Sequence, residues 1–188
     1  VDPEEMGNLV FNGPAVLPYM AEAARDDLYA AAESMGAQLL VNSAFRTVAQ
    51  QYLLRRWFEL GRCGITAAAQ PGSSNHESGR AVDIDNWPTW LDTLPMFGWE
   101  QTVPGDEVHF DHLESPDIRG ADVLAFQRLW NRNNPNDLIA EDGDYGPMTA
   151  SRLAMAPAEG FAIGAMCTPT ERSLEVVTVN GPMWLLPG

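Results

Sequence analysis

Apolar residues recur at helical spacing near the start of the chain. Leu17, Met20, Ala24, Leu28 and Ala31 fall on one face of a 3.6-residue period, which predicts a helix over residues 14–35. Pro14 suits its beginning and Gly36 its end. Residues 37–41 drop that period and read as a strand. The helical period returns over residues 46–60, where Ala49, Tyr52, Leu53, Trp57 and Leu60 share a side and Gly61 stops the run. Residues 61–75 are rich in Gly, Ala, Ser and Pro and predict a surface loop.

Residues 81–84 are short, apolar and β-prone, as a buried strand should be. Residues 87–97 hold two prolines among bulky apolar groups and predict a short helix with irregular ends. Residues 99–103 and 108–113 can pair as a hairpin around Pro104-Gly105. Helices first and a small antiparallel sheet after them make the fold class α+β. The texture changes at Glu114-Ser115-Pro116-Asp117. Beyond it, Val123, Leu124, Phe126, Leu129 and Trp130 mark a further helix. A polar loop leads to Asp142-Gly143-Asp144-Tyr145-Gly146-Pro147, and a helix starts near Met148. The expected organisation is a first domain over residues 1–115, a small helical module over 116–165 and a tail over 166–188.

With 45% hydrophobic and 20% charged residues, the chain is globular and not disordered. A formal net charge of -15 argues against nucleic acid and against anionic membrane surfaces as partners. No apolar run approaches the roughly 20 residues that span a bilayer. No basic and apolar leader follows Val1, so a signal peptide is either absent or already removed. Cys63 and Cys167 form no C-x-x-C pair, which disfavours a thiolate zinc site. They read as two free buried thiols or as one long-range disulfide, which would close a loop of about 100 residues and contribute roughly 4 to 5 kcal/mol.

The chemistry concentrates in two short runs. The chain has three histidines. His76 lies in the run Ser74 to Asp83, and His109 and His112 lie in the run from Asp106 to His112, each beside carboxylates. Catalytic zinc takes three protein ligands from His and carboxylate and leaves a fourth position for water. Two ligands adjacent on a helix would be three or four residues apart, and His76 and Asp83 are seven apart. They suit a loop that turns at Gly79 and enters the strand over 81–84. His109 then arrives from a neighbouring strand. Either Asp106 or Glu107 could take a proton from an acidified water; a regular strand favours Glu107, and a turn at Gly105 favours Asp106. His112 is expected at the surface or in a supporting role.

The run Ser74 to Asp83 matches S-x-H-x-x-G-x-A-x-D in full, and Asp106-Glu107-Val108-His109 matches an acid, two residues, then His. These residues resemble the zinc D-alanyl-D-alanine carboxypeptidases, the VanY/VanX-like and endolysin-like peptidases. The resemblance spans about residues 14–113. It implies His76, Asp83 and His109 as ligands of one Zn2+ ion and Asp106 as the base, with Glu107 as the alternative. A serine–aromatic–arginine run, Ser43-Ala44-Phe45-Arg46 ahead of Gln50, also resembles the family. It implies that Arg46 holds a substrate carboxylate or carbonyl, a task its guanidinium fork suits. Ser74 and Gln50 would bind substrate with it.

The later segment resembles a three-helix peptidoglycan-binding module, through Gly120, Val123, Leu124, Phe126, Gln127 and the run Asp142 to Thr149. Ala154-Met155-Ala156-Pro157 stands where that module has its third helix. Asp137, Glu141, Asp142 and Asp144 miss the spacing of a calcium loop. The implied activity is hydrolysis of D-Ala-D-Ala bonds in peptidoglycan stem peptides by a secreted or periplasmic monomer. A wall endopeptidase with the same centre is the second reading, and a non-catalytic zinc-containing wall-binding or signalling module is the third.

Overall fold

The computed structural model describes residues 7–164. The chain forms two packing units. Among the described residues, the first comprises residues 7–46 and Ser73–Arg119; the second comprises Thr47–Gly72 and residues 120–164.

The first unit is a sheet with a helix. Strand β1 (Leu9–Phe11) runs parallel to β2 (Leu39–Ser43). Strand β2 is antiparallel to β3 (Ala81–Ile84). Strand β5 (His109–His112) lies between β3 and β4 (Trp99–Glu100), antiparallel to both, giving the order β1-β2-β3-β5-β4. The fold is α+β with a mostly antiparallel sheet. The sequence pattern missed β1, whose three residues are too few to show a period. Among the described residues, its parallel pairing is the one departure from an antiparallel sheet.

Helix α1 (Glu22–Met35) buries Ala24, Leu28, Ala31 and Ala32 against Leu39, Val41, Val82, Ile84 and Phe110. Fully burying a side chain such as Leu28, Ile84 or Phe110 contributes about 1.5–3 kcal/mol. The helix starts later than its apolar spacing predicts. Pro18 biases Leu17 towards extended backbone, and Leu17 forms a bridge with Phe45. The N–H of Ala21 donates to Gly79 O (2.7 Å). The left-handed Gly36 closes the helix. Residues 87–97 form two 3-10 turns, Trp87–Thr89 and Leu94–Phe97, each with a proline in its first turn. The hairpin is shorter than expected: Trp99 pairs with His112 and Glu100 with Asp111, and residues 101–108 form the loop between them.

In the second unit, α2 (Val48–Glu59) starts with a capping box in which Thr47 Oγ1 accepts from Gln50 N and Gln50 Oε1 accepts from Thr47 N. Its Val48 joins Val123, Phe126 and Trp130 of α3 (Ala121–Asn133) and Leu153 of α4 (Pro147–Leu153) in one apolar cluster. Residues 47–72 therefore group with the C-terminal helices, although the sequence segments placed them with the first domain. Gln127 knits this unit together. Its amide nitrogen donates to Asp142, Asp144 and Thr149, and its oxygen accepts from Asp142 N and Gly143 N. No helix follows α4 among the described residues. Cys63 is exposed, where the free-thiol expectation had it buried, and Cys167 lies outside the described residues.

Candidate metal centre

The first ligand segment is shaped by its own polar side chains. Ser74 Oγ accepts from His76 N (3.3 Å), and Glu77 Oε2 accepts from Ser74 N (3.0 Å). This capping box sets a 3-10 turn over Asn75–Ser78. Gly79 then takes φ 73°, a left-handed backbone that favours glycine, and sends the chain into β3. The turn and the strand bring His76 and Asp83 together. On the next strand, His109 pairs directly with Asp83. Alternation along the strands puts Val82, Ile84 and Phe110 in the core. Asp83, His109 and Asp111 point to the opposite face.

The three side chains meet at one oxygen. His76 Nε2 and His109 Nδ1 each lie 3.1 Å from Asp83 Oδ1. One ligand atom from each residue lies within 4.8 Å of the others, and no fourth His, Cys, Asp or Glu joins the group among the described residues. Ligands about 2.0–2.1 Å from a tetrahedral zinc ion stand roughly 3.3 Å apart, so the spacing matches.

The proton positions argue the same way. His76 Nδ1 donates to Ala44 O (2.8 Å), which leaves a lone pair on Nε2. Burial lowers the His76 pKa, and the Arg46 charge adds to this, so the ring is neutral. Its lone pair then faces a carboxylate oxygen, a contact that a cation between them makes favourable. His109 Nε2 faces Asp111 Oδ2 (3.2 Å), which fixes the proton there and turns the Nδ1 lone pair to the same point. Without a cation, burial opposes protonation of His109, but Asp111 and Asp83 outweigh it and push its pKa up to about 9. Burial likewise acts to raise the Asp83 pKa; hydrogen bonds to His109 and His76 and the Arg46 charge overcome it and hold the carboxyl far below its usual range. The three donors could hold a divalent cation, and they are of the types that zinc takes.

Arg46 belongs to this centre. Its Nη2 donates to Asp83 Oδ2 (2.8 Å) and its Nε to Ser43 Oγ (2.9 Å). Burial lowers the Arg46 pKa, and Asp83, Asp106 and Glu77 oppose that, in this order. Asp106 therefore acts electrostatically on the site. Both Asp106 and Glu107 are exposed. His109 N donates to Asp106 O (3.2 Å) in a turn that precedes β5, so Glu107 is not on a regular strand and the alternation favouring it does not apply. Ser74 is buried as the cap of the His76 turn. Gln50 lies in the second unit, in the α2 capping box.

His112 is not at the surface. It is fully buried on the core face, with Nδ1 2.9 Å from Ser115 Oγ and Nε2 3.0 Å from Asp27 Oδ2. Sequence reasoning overlooked Asp111 and the Ala44 carbonyl. Asp111 had a signal, since it stands two residues after His109 on the same strand face. Ala44 O had none, because a backbone acceptor carries no side-chain signature.

Residues 15–103 match the VanY family, described as D-alanyl-D-alanine carboxypeptidase. The matched segment, just under half of the chain, is similar to the peptidase domain of that family. The matched span holds His76 and Asp83 and ends short of Asp106 and His109, which the fold adds. Among solved structures, the chain is similar to a mutant of the vancomycin-resistance D,D-pentapeptidase VanY in complex with Zn(II). That likeness has 21% identity and a TM-score of 0.37, over 48% of this chain and 68% of that one. It is also similar to the LdcB LD-carboxypeptidase, a structure described as showing peptidoglycan recognition, with 19% identity and a TM-score of 0.44 over 73% of this chain and 75% of that one. No curated protein matches the chain.

Proposed function

We propose that the VanY-like domain hydrolyses the terminal D-Ala-D-Ala bond of cell-wall stem peptides, using one zinc ion held by His76, Asp83 and His109. One observation carries this reading: two neutral-capable imidazole nitrogens aim at a single carboxylate oxygen, and no fourth ligand of the same kind joins them. His76, Asp83 and His109 would hold the ion, which would supply Lewis acidity for activating a water and the scissile carbonyl.

The chain's own groups do the rest. Asp106 accepts the proton of the attacking water and returns it to the leaving amine. Its charge registers at Arg46, which supports it over Glu107. Arg46 fixes the outer oxygen of Asp83 and adds positive charge beside the reacting carbonyl. Ser74 Oγ accepts from His76 N, so its hydroxyl proton is available to a substrate oxygen. No described helix is long and apolar enough to cross a membrane. The proposed substrate places the protein's work outside the cytoplasm. The second unit, through its Gln127 and Asp142–Thr149 framework, is proposed as a remodelled peptidoglycan-binding module.

The deciding experiment is D-alanine release from a synthetic stem pentapeptide, with metal content measured on the same sample. About one zinc per chain and loss of release on chelation are expected. Undiminished release after chelation, or in His76→Ala, sinks the proposal. Mass analysis of digested sacculi separates the terminal cut from an internal one; an internal fragment alone supports the endopeptidase reading, and no fragment supports the non-catalytic one.

A further inference from the structure

We infer that Asp111 is the positioning residue of this centre: it fixes His109 as a ligand and ties to it the two segments that carry His76 and Asp106. The inference rests on the zinc reading of the site. Asp111 is 4% exposed on β5. Its Oδ2 faces His109 Nε2 (3.2 Å) and accepts from Asn75 Nδ2 (2.7 Å) and from Thr102 Oγ1. These three partners come from three separate pieces of chain. Asn75 immediately precedes His76 in the 3-10 turn. Thr102 belongs to the 101–108 loop that carries Asp106, and His109 is on the strand itself.

The other oxygen, Oδ1, is buried and has no hydrogen-bond partner among the described residues. All three contacts thus converge on one oxygen of a buried anion. A carboxylate used only as packing filler would be a poor choice here, because a buried charge must be compensated. It is well suited to holding an imidazole in one tautomer. With the proton kept on Nε2, the Nδ1 lone pair can face only the point shared by His76 and Asp83. Two carboxylates, Asp83 and Asp111, then flank His109, and a divalent cation at that point balances both charges. Thr102 uses the same oxygen to anchor the loop of the proposed base.

The two ties make separable predictions. Zinc affinity is measured by competition with a chromogenic chelator, and turnover is measured at saturating zinc, for the parent, Asp111→Asn and Thr102→Val. Asp111→Asn keeps the shape but loses the charge and the second acceptor oxygen. It is expected to weaken zinc binding about 10–100-fold. The visible spectrum of the Co(II)-substituted protein should change with it, a signature that a merely structural role would not move. Thr102→Val is expected to hold zinc as the parent does, while kcat falls about 10-fold or more with little change in KM, because only the base loop is released. A parent chain that takes up no zinc overturns the zinc reading, and this inference with it. A parent that binds zinc, beside an Asp111→Asn variant that binds it equally well with an unaltered cobalt spectrum, overturns this inference alone. Should Asp111→Asn not fold, Thr102→Val still decides: unchanged kcat removes the tie between Asp111 and the base loop.

Discussion

Asp83 carries opposite demands on its two oxygens. Oδ1 faces both imidazoles, and Oδ2 accepts from Arg46. Arg46 can serve Asp83 and Ser43 together because its guanidinium is a planar fork; an ammonium is a single point of charge. Arg46→Lys should therefore retain zinc but lower kcat/KM by about 10-fold or more. Steady-state kinetics with parallel metal analysis checks this, and unchanged kinetics would remove Arg46 from the mechanism. The base assignment is tested beside it. Asp106→Asn should cut kcat by about 10²–10⁴-fold, and Glu107→Gln should leave it within a few-fold. The reverse order would transfer the role to Glu107. At this scale the sequence was informative about side chains and silent about backbone. His76, Asp83 and His109 announce themselves by type and spacing, whereas the acceptor that sets the His76 tautomer is a main-chain carbonyl. His112 shows the converse. It shares the residue type and the neighbouring acids of His109, yet strand alternation turns it into the core against Asp27 and Ser115.

The elements owe their usefulness to turns at fixed places. The Ser74–Glu77 capping box and the left-handed Gly79 bring together two side chains seven residues apart, which a helix would hold about two turns from each other. The direct pairing of Asp83 with His109 brings the third side chain of the candidate site beside the other two. A one-residue slip of β5 would send His109 to the core face, so register is part of the chemistry. Gly98 guards that register from the other side. It has φ 75°, and a Cβ there would lie 2.8 Å from His112 Nε2. Gly98→Ala should lower stability by about 1–3 kcal/mol. Denaturant unfolding of the two proteins tests this; equal midpoints would show that β5 is held by other means. The legible elements were those with enough residues to display a period or a stop signal, such as β3, α2 and α3. The start of α1 was misplaced because Leu17, at a helical spacing, pairs with Phe45 instead.

For the molecule as a whole, the metal centre sets how stability should vary with pH. In chelated protein, the folded pKa of His109 is about 9, above its ordinary 6.5. Its contribution is then fully present below pH 6.5 and is lost as pH rises through 9. Burial holds the His76 pKa below that ordinary value, so its contribution is present above pH 6.5 and is lost as pH falls. The chelated protein should be most stable near neutrality. Zinc competes with the His109 proton, so the increase in Tm caused by zinc should grow between pH 6.5 and 9. At free zinc about 1,000 times its Kd, the stabilisation is about 4 kcal/mol. Scanning fluorimetry with and without chelator measures both trends, and a zinc-induced shift that does not change with pH would contradict the assigned ligands. By itself the sequence determined the α+β class and pointed to the three residues that could hold a metal ion, because these follow from local periodicity and from side chains that carry their chemistry wherever they are placed. Only the tertiary structure decided which face of β5 bears the site, that Asp111 and Ala44 O set the imidazole protons, and that residues 47–72 pack with the later helices. Those are outcomes of register and long-range burial, which depend on residues far apart in the chain meeting in space.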